Sequence, residues 1–177
     1  MMVLNIYLVL NLIIGWNVLA AERKGIHYQK WIKVLIYISI PWAFSIHTVT
    51  AFLYAGIPGR HYWLTAIMAP RFLASAFAAG PAFLVLMCLI IRKVTKFDPG
   101  KEQIRTLGGI IAYAFILNIF FFVLEVFTAF YSNIPGHMHS IVYLFSGYEG
   151  YGKLVPWMWT ATGFAFVALI LLIIPAT

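Results

Sequence analysis

Five runs of about twenty apolar residues, at 2–21, 33–55, 72–91, 108–131 and 155–175, occupy most of this sequence and leave little else to fold. Each is long enough to cross roughly 30 Å of hydrocarbon as a helix, and each is bounded by charged residues or by Gly/Pro clusters. A helix is also how a single run satisfies its own backbone where no water reaches. The expected fold class is therefore all-α: a polytopic membrane protein in which about five transmembrane helices form one bundle over residues 1–177. Composition agrees, since 10% of the residues are charged and 63% hydrophobic, whereas a soluble domain carries about 25% charged residues to wet its surface. So apolar a chain is not disordered, and its basic residues are scattered between apolar runs, which excludes a nucleic-acid binder. Its one cysteine, Cys88, excludes an internal disulfide. The first run lacks the basic start of a signal peptide and carries Asn5, Asn11 and Asn17, so it reads as a mature span.

Lysine and arginine set the expected orientation. The connections at 22–33 and 92–107 hold Arg23, Lys24, Lys30, Lys33, Arg92, Lys93, Lys96, Lys101 and Arg105, against Arg60, Arg71 and Lys153 on the other side. The N-terminus is expected outside and the C-terminus inside, with the basic loops anchored at anionic headgroups. The two outer loops, Ile57-Pro58-Gly59-Arg60-His61-Tyr62-Trp63 and Ile134-Pro135-Gly136-His137-Met138-His139, share an Ile-Pro-Gly opening and are rich in aromatics and histidine. The stretch 140–154 is too short and glycine-rich to span, and is expected to lie along the outer surface as a docking platform for a water-soluble partner. Alternating His137 and His139, without a cysteine or carboxylate cluster, do not make a metal site. His47 is the one histidine deep in a span, so a haem held between two facing histidines is not expected. No motif for nucleophilic catalysis or phosphate cradling is present.

An ionisable residue inside a span costs several kcal/mol unless a partner or water cavity offsets it, so such residues mark function. Two qualify: His47 in the second span and Glu125 in the fourth. His47 lies nine residues before Gly56 and Glu125 eight before Asn133, so both sit about 12–13 Å in from the outer end at 1.5 Å per residue. His47 shares a helical face with Thr50 and Tyr54, and Glu125 with Asn118, Thr128 and Ser132. Two polar stripes at one depth suggest a shared pocket; the plainer reading is a buried hydrogen-bonded pair that only fixes helix packing. In the third span the small residues Ala74, Ser75, Ala78, Ala79 and Gly80 allow close helix approach. Arg71 enters that span at its N-terminal end, where the macrodipole offers a cation nothing, so it should answer to an acid: Glu125, Glu149 or a ligand.

The segments Ser45-Ile46-His47-Thr48-Val49-Thr50-Ala51-Phe52 and Ala69-Pro70-Arg71-Phe72-Leu73-Ala74-Ser75-Ala76-Phe77-Ala78-Ala79-Gly80-Pro81, with Val155-Pro156-Trp157-Met158-Trp159 opening the last span, resemble the NrfD/polysulfide reductase (PsrC-like) family of membrane subunits. Within it the nearest likeness is to the DsrP branch, the integral-membrane subunit of the DsrMKJOP complex. The resemblance runs over nearly the whole chain. It implies a haem-free quinone oxidoreductase subunit of the inner (cytoplasmic) membrane, acting only within a complex. Such a subunit exchanges electrons between menaquinone and a periplasmic, ferredoxin-like iron–sulfur subunit in sulfite or sulfate metabolism. Family members carry more spans than five, so the chain is expected to be one half, or a fragment, of an NrfD-like fold.

A quinone site needs an apolar slot, a donor to each carbonyl and a titratable group that moves protons. His47 and Glu125 are the expected catalytic pair, with Arg71, Tyr54, Thr50, Tyr62, Asn118 and Thr128 as quinone-binding residues and no metal. Two other functions compete. A proton or solute conduit would need more polar residues in the inner halves of the second and fourth spans, which offer only Tyr37, Ser39 and Tyr113. A passive membrane anchor would tolerate loss of His47 or Glu125 without loss of electron transfer.

Overall fold

The computed structural model describes residues 2–57 and 59–174; Pro58 of the first outer loop and Pro175 at the end of the fifth apolar run lie outside the described residues. Six helices follow in order: α1 (Met2–Arg23), α2 (Lys30–Ala55), α3 (Met68–Val94), α4 (Lys101–Tyr131), α5 (Pro135–Ser146) and α6 (Val155–Ile173), with a 3-10 turn at His61–Trp63 before α3. All but α5 are long and apolar enough to cross a membrane. Large apolar side chains point outward along every long helix, among them Leu12, Leu53, Phe83, Phe127 and Leu171. Lipid is the solvent that such a surface needs.

The chain forms two compact units, divided between Leu53 and Tyr54. The first holds α1 and most of α2. α1 ends in a Schellman turn: Gly25 takes φ +65°, its N–H donates to the Glu22 carbonyl, and the Ile26 N–H donates to the Ala21 carbonyl. Glycine pays no Cβ penalty in that left-handed conformation, so the helix stops where the basic loop begins. Most polar residues of this unit's spans satisfy themselves locally. Asn11 and Asn17 each donate to the carbonyl four residues back at 2.8 Å, and Thr48 and Thr50 do so at 2.9 and 2.8 Å. This explains how amides and hydroxyls sit in apolar helices without partners on a second element. Trp42 Nε1 donates to the Val3 carbonyl at 3.1 Å, tying the middle of α2 to the start of α1.

In the second unit α3 and α4 form an antiparallel hairpin, α6 packs on α4, and α5 contacts α4, α6 and the 3-10 turn. Buried positions on the hairpin are mostly alanine, at Ala74 and Ala78 on α3 and Ala114 and Ala129 on α4. Small residues let backbones approach, which is how helices associate where lipid removes the hydrophobic driving force. Ser75, Ala79 and Gly80, expected to share this packing role, are exposed instead.

Two sequence expectations are corrected here. α3 begins at Met68, four residues before the expected start of the span at 72, and Arg71 lies at the N-terminal end of the helix as expected. The outer loop expected at 134–139 is instead the start of the twelve-residue helix α5, which runs on into the stretch expected to lie along the outer surface. Pro135 sits in its first turn, where its missing N–H costs nothing and its fixed φ suits a helix. Met138, Ile141, Val142 and Phe145 repeat at helical spacing, and Ile141 is buried. Twelve residues are too few to span. After α5 the chain makes a tight turn closed by paired backbone hydrogen bonds between Tyr148 and Tyr151.

α5 is seated on the 3-10 turn through Gly136, where an added Cβ would stand 2.8 Å from both Cβ and Cγ of His61. Burial, and then the nearby charge of His61, hold the His137 imidazole below its ordinary value. Gly136→Ala should therefore lower stability by about 1–3 kcal/mol through overpacking. Helix propensity alone would favour alanine by about 1 kcal/mol, so a net loss in thermal unfolding is the signature of this contact.

Candidate functional site

The ionisable core of the second unit is a single pair. Arg71, almost one turn into α3, donates from Nη1 to Oε2 of Glu125 on α4, and its guanidinium carbon lies 5.1 Å from the centroid of the Phe122 ring. Antiparallel packing brings them together: Arg71 is near the start of α3, and Glu125 is six residues from the end of α4. Of the three acceptors that the sequence left open for Arg71, the fold selects Glu125.

The two side chains are not equally enclosed. Arg71 is 26% exposed, whereas Glu125 is 3% exposed and is the one buried charged residue among the described residues. Glu125 Oε1 is buried with no hydrogen-bond partner among the described residues. A carboxylate accepts at both oxygens, and leaving a buried one unsatisfied costs about 1–3 kcal/mol or more. Oε1 is therefore the costly end of the pair, and a donor or a proton placed on it would relieve that cost.

An apolar groove of about 550 Å³ runs between α3, α4 and α6. Ala78, Ala82, Phe115 and Leu172 are among its walls, and its polar side chains are Ser75 and Asn118. Ser75 is one turn beyond Arg71 on α3 and Asn118 is two turns before Glu125 on α4, so the groove opens about 6–10 Å along the helices from the ion pair. Unlike Asn11 and Asn17, Asn118 is not engaged with its own helix. A second cleft of about 410 Å³ has aromatic walls from Phe122, Phe130, Phe145 and Trp159. Phe122 thus forms part of that cleft and also stacks on Arg71.

The remaining candidates fall in several places. His47 belongs to the first unit; it is half-buried, with Nδ1 2.9 Å from the Ala43 carbonyl. A carbonyl only accepts, so Nδ1 carries the proton in the neutral ring and Nε2 is left as an acceptor. Thr50 donates to the Ile46 carbonyl of its own helix. Thr128 is exposed and donates to the Leu124 carbonyl, so its shared spacing with Glu125 does not place it in the same surroundings. Tyr54 meets Trp63 and Phe72 edge-on at 4.9 and 6.0 Å between ring centroids. Tyr62 lines a separate cleft between the 3-10 turn and α5. Phe122 and the aromatic cleft were not identified from the sequence, because fifteen phenylalanines offer no means of choosing one. No cluster of three or more metal-ligating side chains occurs among the described residues.

Residues 1–177 match the family described as "Polysulphide reductase, NrfD". The chain is 26% identical over 141 residues to a putative dimethyl sulfoxide reductase membrane subunit of Halobacterium salinarum, an alignment covering 78% of this chain and 31% of that protein. It is 24% identical over 128 residues to a selenate reductase subunit of Mesobacillus selenatarsenatis, covering 70% of this chain and 30% of that protein. The chain therefore spans about a third of the length of the curated relatives it matches. No solved structure matches it significantly. With five membrane-crossing helices and a family match from end to end, this chain belongs to the NrfD family of multi-pass membrane proteins.

Proposed function

We propose that the chain is part of a quinone-interacting membrane subunit of a reductase-type complex. In this reading it exchanges electrons between menaquinone or menaquinol and an extracytoplasmic iron–sulfur subunit, in a complex of the cytoplasmic membrane that acts on sulfur compounds. Family membership and the reductase membrane subunits among its relatives support the general role. The likeness to the DsrP branch supports the menaquinone and sulfur-compound assignments. The observation that carries the reading is the buried Glu125 carboxylate, with one oxygen held by Arg71 and the other unpartnered among the described residues, one to two turns from a groove of quinone-compatible size.

A bound quinone supplies two-electron, two-proton chemistry. The residues present suit it. The alanine-lined groove takes a flat ring and an isoprenoid tail, and the Asn118 amide offers both a donor and an acceptor on its wall. Arg71 occupies Oε2 of Glu125, which leaves Oε1 as the oxygen able to accept a proton. His47, with Nε2 as its acceptor, is the second proton-handling group proposed from the sequence, and Tyr54, Tyr62, Thr50 and Thr128 remain quinone-binding candidates on the sequence alone.

Quinol-driven reduction of the assembled complex tests the assignment, with substitutions at His47 and Glu125. Loss of turnover in a complex that still assembles is expected, and undiminished turnover overturns it. Orientation is tested separately, in a variant whose native Cys88 is replaced. A cysteine at exposed Lys153 should react with an impermeant thiol reagent added outside the cell, and one at exposed Lys96 should not. Reversed labelling inverts the topology.

A further inference from the structure

The cleft between the 3-10 turn and α5 is chemically unlike the two grooves among the spans. It has a volume of about 690 Å³, and its walls include Arg60, His61 and Trp63 on one side and His139, Tyr143 and Tyr148 on the other. No carboxylate lines it among the described residues. The side chains it presents are rich in donors: a guanidinium, two imidazoles, three phenols counting Tyr62, and the Trp63 indole. Ser140 is already committed, donating to the Gly136 carbonyl at 3.0 Å.

The cleft is also built rather than incidental. Arg60 is held with its guanidinium carbon 4.6 Å from the Trp63 ring centroid, and His139 lies 5.5 Å from Tyr148, ring to ring. Gly136 seats α5 directly on His61, which fixes the two walls against each other. Both walls are elements too short to cross a membrane. Its interior joins apolar contact, from Leu144 and the rings, to an excess of donors with no acidic group among them.

We propose that this cleft recognises a carboxylate-bearing peptide segment, of the sequence type Glu or Asp next to an apolar residue, presented by a water-soluble partner. Charge complementarity identifies the occupant. A surface with many donors, one guanidinium and no acid among the described residues takes an acceptor anion, and the aromatic and leucine contacts take the apolar neighbour. A lipid headgroup phosphate would use the guanidinium and the other donors but leave those apolar walls without a partner. The inference rests on the reading of this chain as one subunit of a complex, but it requires neither a quinone nor electron transfer.

The full chain, in nanodiscs of zwitterionic phosphatidylcholine, is photo-crosslinked with a benzophenone-bearing peptide of alternating glutamate and leucine. Crosslinked residues are then mapped by mass spectrometry. Crosslinks are expected at 59–63 and 139–148. They should weaken about tenfold with the glutamine version of the peptide and in an Arg60→Glu/His139→Glu variant, the scale of losing one or two charge-assisted hydrogen bonds. An Arg60→Lys control should retain most of the yield, and a thermal melt of each variant reports its fold. Crosslinks confined to the basic loops at 22–33 and 92–107, or equal yields from the two peptides, overturn the proposal. So does displacement of the peptide by phosphatidylglycerol added to the disc, which would reassign the cleft to a lipid headgroup. Because no redox step is involved, failure here leaves the quinone reading standing, and a failed turnover test leaves this one standing.

Discussion

Glu125→Gln is expected to lower quinol-driven turnover by roughly 10²- to 10⁴-fold, the range over which a positioned proton acceptor contributes, while the complex still assembles. Glutamine keeps the shape of the side chain and an oxygen for Arg71, but it cannot take up a proton. The substitution therefore separates chemistry from packing. Glu125→Asp, which keeps the charge but shortens the reach, should recover part of the rate. A passive anchor predicts the opposite pattern, with normal turnover in both variants, and so does an ion pair that serves packing alone. The readout is turnover per assembled complex, which removes any effect on expression.

Arg71→Leu is expected to destabilise the second unit by about 3–5 kcal/mol, the usual cost of removing one partner from a buried ion pair. Glu125 is the more deeply enclosed partner, so it is the charge left stranded. The double variant Arg71→Leu/Glu125→Leu should recover most of that loss, because apolar replacements of a buried pair are often neutral or stabilising. Thermal unfolding in nanodiscs measures both. A double variant that folds well but transfers no electrons from quinol would show that the pair is kept for chemistry, since a leucine pair would have served packing. A double variant as unstable as the single would instead make the pair a structural element of the hairpin.

The candidate site was partly legible in the sequence. Glu125 stood out because a carboxylate within an apolar run is costly wherever the helix points, and it is the buried charged residue among those described. Arg71 stood out because a cation near a helix N-terminus needs an acceptor, although spacing could not rank Glu125 above Glu149. Helical periodicity assigned Thr128 and Asn118 to the face of Glu125, but Thr128 is exposed and bonded to its own helix while Asn118 lines a groove. Periodicity orders residues around one helix and says nothing of what stands opposite. α5 escapes a reading based on runs of membrane length. Its signal, a proline followed by apolar residues at helical spacing, is present at 135–145.

What the sequence determined by itself is the class of structure and its solvent: helices, five of them long enough for lipid. Hydrophobic length is a property of a one-dimensional run, and the backbone of such a run has to close its hydrogen bonds within itself. The tertiary structure decided which residues became neighbours. The pairing of Arg71 with Glu125, the unpartnered Oε1, the groove beside Asn118 and the seating of α5 on His61 each depend on two or more elements meeting at a particular register. Buried alanines on α3 and α4 let that hairpin pack closely, and a chain of isolated spans does not contain such contacts.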